Sequence, residues 1–119
     1  MIKGLLMTLR LLWLIVLVTG ALIFFHVAVP VQAHMGLGYL IALIMVIIGA
    51  LGFRASTPLA ILTILVGIAL PVLGRTQIAH MGMPDLSYIQ ITHVLLGLAA
   101  IGLAEVLGKR IQAKRIQTV

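Results

Sequence analysis

The chain has 119 residues, of which 63% are hydrophobic and 8% charged, with a formal net charge of +6. Soluble domains run near ~45–50% apolar and ~25% charged, so this balance excludes a soluble globular class and implies an integral membrane protein. Cysteine is absent, which removes disulfides, thiolate catalysis and cysteine-ligated clusters.

A bilayer core takes roughly 20 apolar residues per helix, and the sequence offers four such runs. The first covers 11–29 and ends near Pro30. It shows no cleavage-site pattern and three similar runs follow, so it reads as a span rather than a signal peptide. The second covers 34–53, after a short connection through Pro30-Val31-Gln32-Ala33. The third covers 58–74 and is opened by Ser56-Thr57-Pro58, where a hydroxyl cap precedes a proline early in the helix. A polar loop over 75–91 turns at Gly82, Pro84 and Asp85. The fourth covers 92–108, backed by Lys109 and Arg110 at the negative end of the helix dipole, and a basic tail occupies 109–119. The expected fold is all-α: an integral membrane four-helix bundle of two pseudo-repeated hairpins, forming a single transmembrane domain.

The positive charge is placed for a bilayer rather than for nucleic acid. Lys3, Arg10, Arg54, Lys109, Arg110, Lys114 and Arg115 fall on one side of this topology, and Arg75 alone on the other. That is a positive-inside pattern, which puts both termini in the cytoplasm of a multi-pass plasma-membrane protein.

On this topology His34 and His93 open the second and fourth spans at the same, extracytoplasmic side. His34-Met35-Gly36-Leu37-Gly38 and His93-Val94-Leu95-Leu96-Gly97 share the pattern H-x-x-L-G, and each histidine has a further glycine fifteen residues on, Gly49 and Gly108. Val18-Thr19-Gly20-Ala21-Leu22 in the first span is loosely echoed by Leu65-Val66-Gly67-Ile68-Ala69 in the third. A duplicated hairpin would relate the second and fourth spans by a pseudo-two-fold axis along the membrane normal, aiming the histidines at each other.

Imidazole is a good axial ligand of heme iron, and two of them saturate both axial positions. Bundles commonly hold cofactors between facing helices. A glycine at i+4 lies one turn along the same face as its histidine, so Gly38 and Gly97 would clear the space a porphyrin must occupy. One heme b between His34 and His93 is the expected cofactor. The bland alternatives are histidines among lipid headgroups and small residues serving helix–helix contact. Zinc fits less well, because no carboxylate or cysteine is placed to complete a tetrahedral site.

His26, inside the first span, is expected to line the heme pocket, since polar groups at that depth are usually paired or functional. A second heme between His26 and His80 ranks behind this, His80 being a solvated loop residue by default. Arg75 suits heme propionates or an interfacial anchor equally. Met35, Met81 and Met83 are read as packing, Trp13 and Tyr39 as packing or interface aromatics, and Glu105 as an ion-pair partner of Lys109.

These residues resemble the heme A synthase family over most of the chain, from about Leu12 to Leu107. The resemblance rests on Val18-Thr19-Gly20, His34-x-x-Leu37-Gly38, Leu65-Val66-Gly67 and His93-x-x-Leu96-Gly97, with Gly74-Arg75-Thr76 and Gly82-Met83-Pro84-Asp85 between them. It implies a four-helix half in which histidines at the outer ends of the second and fourth helices ligate one heme; typical members have eight helices and two hemes. The family's catalytic carboxylate lies about one turn before a histidine, where this chain has Val31 before His34 and Gln90 before His93. The cysteine pair of many bacterial members is also absent. The resemblance therefore implies heme binding without carrying over oxidation of a heme methyl group.

The leading functional expectation is a bis-His b-type cytochrome for electron transfer or heme handling. The alternatives are a half-size heme A synthase or quinol-linked oxidoreductase, and a cofactor-free membrane subunit or small transporter. Beyond the lipid bilayer, the compatible partners are a second copy of the chain, a larger membrane oxidoreductase and a quinone.

Overall fold

A computed structural model of the protein describes residues 1–118. The described residues form four helices: α1 (Ile2–Phe24), α2 (Val31–Gly52), α3 (Thr57–Ala79) and α4 (Leu86–Thr118). Each is long and apolar enough to cross a membrane. The all-helical architecture of four helices thus matches the expectation, while every helix boundary moves.

The shifts have local causes. α1 begins at Ile2 rather than 11, because Ile2, Leu6 and Leu9 continue an apolar stripe beneath Lys3 and Arg10 and are buried. It stops at Phe24, short of 29. His26 adopts the left-handed conformation at φ 60, its N–H bonds the Ile23 carbonyl at 3.0 Å, and the Val27 N–H bonds the Leu22 carbonyl at 2.9 Å. This is the paired hydrogen-bond pattern that closes helix C-termini. α2 begins at Val31, directly after Pro30 in extended conformation, so His34 lies within the first turn. α3 runs on past Gly74 through Arg75-Thr76-Gln77 to Ala79; these first residues of the expected 75–91 loop are helical. Ser56 is the N-cap of α3, yet it makes no side-chain capping bond, and Thr57 Oγ1 instead donates to the Phe53 carbonyl at 3.1 Å. α4 begins at Leu86, putting His93 two turns inside it. It also absorbs the expected tail, with Ile111 buried and Lys114 Nζ bonding the Arg54 carbonyl at 2.7 Å.

The Cα atoms extend 54 × 24 × 16 Å, the long dimension matching the roughly 50 Å of a 33-residue helix. α2 packs on α1, α3 and α4, whereas α1 and α3 do not touch. α2 and α4 therefore form the inner pair. α2 and α3 approach closely through small residues: a Cβ on Gly67 would lie 2.9 Å from Met45 Cβ, and one on Gly49 would lie 3.0 Å from the Ala60 carbonyl oxygen. α1 is tied to α4 by Trp13, whose indole N–H donates to the Gly97 carbonyl at 2.8 Å.

The core is one-sided along the bundle axis. Ile41, Met45, Ile48, Ala60, Thr63, Val66, Ala100, Ala104, Leu107 and Ile111 are buried, together with Leu6 and Leu9. No described residue over 10–40 or 68–99 is buried. The half containing the α1–α2 and α3–α4 connections is thus loosely packed, and both H-x-x-L-G segments lie in it.

Candidate functional site

Each histidine of the two H-x-x-L-G segments packs against a glycine of the helix preceding it. A Cβ on Gly20 of α1 would lie 3.0 Å from His34 Cε1, and a Cβ on Gly74 of α3 would lie 3.6 Å from His93 Cε1. The absence of a side chain at these positions lets an imidazole lie on the helix surface. From their separate hairpins the two rings meet with centroids 6.4 Å apart and planes tilted by 57°. Both rings are half-buried.

Thr19 selects the tautomer of neutral His34. Its hydroxyl donates to the Val16 carbonyl at 3.0 Å, so its only hydrogen is committed. Its oxygen lies 3.0 Å from His34 Nδ1 and accepts the Nδ1 proton. Nε2 of His34 is then the unprotonated nitrogen, carrying the lone pair a metal requires. His93 has no such partner. Its Nδ1 is the one buried side-chain nitrogen or oxygen without a hydrogen bond among the described residues.

The glycine contacts also correct the internal repeat. The sequence echo paired Gly20 with Gly67, but Gly67 faces Met45 in the core, and Gly74 takes Gly20's place beside a histidine. With Gly20 matched to Gly74, Thr19 corresponds to Leu73, Trp13 to Gly67 and His26 to His80. His80 is the C-cap of α3, as His26 lies at the end of α1. The match between α2 and α4 stands: Ile41, Met45, Ile48 and Gly49 are buried, as are Ala100, Ala104, Leu107 and Gly108.

The other predicted site residues divide. A Cβ on Gly38 or Gly97 meets no atom within 4 Å, so both glycines border open space. Arg75 follows Gly74 and donates from Nη1 to the Tyr39 hydroxyl at 3.1 Å, which joins α3 to α2 beside Gly38. His26 does not join the pair: it is exposed beyond the end of α1, where it serves as the left-handed cap residue. His80 Nδ1 lies 3.0 Å from Asp85 Oδ1 and 2.9 Å from Oδ2, closing the α3–α4 turn. Glu105 pairs with Arg10 of α1, at 2.5 and 2.8 Å, rather than with Lys109, because the N-terminal half of α1 reaches its level.

Among the described residues no three histidine, cysteine or acidic side chains cluster as a metal site. A two-imidazole set is complete only for a metal that brings its remaining ligands with it, and heme iron is such a metal. An imidazole nitrogen binds a first-row metal at roughly 2 Å, which with the distance to each ring centre spaces two opposed rings by about 6 Å. The observed 6.4 Å fits this requirement. Sequence reasoning missed Thr19 and Gly74 as parts of the site, although Thr19-Gly20 and Gly74-Arg75 both stood out as motifs. Comparison of the chain with protein-family models, curated proteins and solved structures returned no match.

Proposed function

We propose that the protein is a membrane heme-binding protein, a bis-His b-type cytochrome that carries electrons or handles heme. The observation that carries this reading is the pairing of the His34 and His93 rings, with centroids 6.4 Å apart, and with His34 held as the tautomer whose Nε2 is free to ligate. Bound heme supplies one-electron iron chemistry. The chain supplies the two imidazoles, the cleared faces at Gly38 and Gly97, and a guanidinium, Arg75, for the propionates. Positive-inside placement of the other seven basic residues puts this site toward the extracytoplasmic face of the plasma membrane, with both termini cytoplasmic.

A carrier role is favoured over a half-size heme A synthase by the two acidic residues. Asp85 is engaged by His80 in the connecting turn and Glu105 by Arg10 at the opposite end of the bundle. No carboxylate is left beside the histidines for proton transfer to or from a substrate.

An absorption spectrum of the purified protein tests the reading. A reduced-minus-oxidised b-type difference spectrum is expected, its low-spin, two-histidine form lost in His34→Ala and in His93→Ala and kept in His26→Ala. A protein that stays colourless after expression with ample heme and titration with hemin would sink it. Membranes supplied with heme O are expected to accumulate no heme A.

A further inference from the structure

Resting on the heme reading, the geometry points to two histidines that would hold the group unequally: His34 would be the fixed ligand, positioned by Thr19, and His93 the exchangeable one. The place of His93 would then be open to a small neutral exogenous ligand, of which carbon monoxide is the simplest probe.

Two independent observations carry the asymmetry. The first is hydrogen bonding. His34 Nδ1 is anchored at 3.0 Å to a hydroxyl that is itself tied to the Val16 carbonyl, whereas His93 Nδ1 is buried without a partner. A ligating histidine whose second nitrogen is held keeps its ring orientation and gains basicity. The second is packing. Three atoms of the His34 ring would fall within 4 Å of a Cβ on Gly20, the nearest at 3.0 Å; only one His93 atom approaches Gly74, at 3.6 Å. The His34 ring is held by the Thr19 hydroxyl and lies tight on Gly20, whereas the His93 ring lies more loosely on Gly74 and has no hydrogen bond at Nδ1. The difference is written in the sequence, because Leu73 precedes Gly74 where Thr19 precedes Gly20, and leucine has no oxygen to offer.

With heme bound, exchange at His93 would move no electron and no proton: carbon monoxide would take the place of the His93 imidazole, which would stay beside Gly74. Thr19 acts only through His34 and is a positioning residue.

The test uses the full chain in detergent, loaded with hemin, reduced with dithionite and titrated with carbon monoxide, with circular dichroism confirming helix content. Wild type is expected to bind carbon monoxide. His93→Gly is expected to retain heme and bind carbon monoxide more tightly, while His34→Gly loses heme. Thr19→Val is expected to weaken hemin affinity about 10–100-fold, the usual cost of removing a partner behind a ligating histidine. Leu73→Thr, which offers His93 the missing acceptor, is expected to weaken carbon monoxide binding by about tenfold or more. Equal heme retention in the two glycine variants, or unchanged carbon monoxide binding in Leu73→Thr, would overturn the inequality while leaving bis-His ligation intact. A wild-type protein that takes up no hemin would overturn the heme reading itself.

Discussion

His26 shows how one residue can be costly for a reason unrelated to ligand binding. At φ 60 it occupies the left-handed conformation that ends α1, which costs a non-glycine residue about 1–2 kcal/mol. Glycine adopts this conformation freely. His26→Gly is therefore expected to raise thermal stability by an amount corresponding to about 1 kcal/mol, and to leave any heme spectrum unchanged. A fall in melting temperature together with loss of heme would instead assign His26 to the pocket. From sequence, a histidine ahead of Val27-Ala28-Val29 looked like a polar group inside a span, because nothing local announces a non-glycine helix stop. The pair His34 and His93 was legible, because both carry the same five-residue pattern and charge placement puts them on one side. Thr19 was not legible as a partner of His34, since that contact requires knowing which face of α1 meets α2.

At the scale of elements, glycine has two different uses that sequence alone does not separate. Gly67 allows α2 and α3 to touch, with Met45 Cβ 2.9 Å from where its own Cβ would be, whereas Gly38 and Gly97 border open space. Gly67→Val is expected to destabilise the bundle by about 1–3 kcal/mol, the usual cost of overpacking a core, as seen in its thermal unfolding in detergent. Gly38→Val and Gly97→Val are expected to change heme-free stability by only about 0.5 kcal/mol, as at positions away from packed features, but to lower heme occupancy. If the two groups behave alike, the glycines beneath the histidines serve packing rather than a porphyrin. The same ambiguity displaced the helix ends. Gly74 looked like the end of the third span, but it is a close-approach site, and α3 continues past it to Ala79. Four apolar helices were legible because hydropathy integrates over about twenty residues. Their ends were not, because each depends on one or two residues whose role is set by a neighbouring helix.

At the scale of the whole molecule, the bundle is polarised along its axis. The buried residues and the Arg10–Glu105 and Lys114–Arg54 contacts gather at one end, and the paired histidines sit in the loosely packed half at the other. The basic residues accumulate at the tightly packed end, so the proposed orientation has that end in the cytoplasm. On the proposed heme reading this orientation would decide from which compartment a redox partner meets the site, and it can be tested directly because the chain has no cysteine to interfere. Met81, exposed in the α3–α4 turn, and Ala113, exposed on the last turns of α4, are suitable reporters. In intact cells a membrane-impermeant maleimide is expected to label Met81→Cys at once and Ala113→Cys only after permeabilisation. The reverse pattern would move the histidine pair to the cytoplasmic face, with Arg75 then the lone basic residue on that side. Labelling of both variants in intact cells would mean that the ends of α3 and α4 share a compartment, and the four-span arrangement would fall with it.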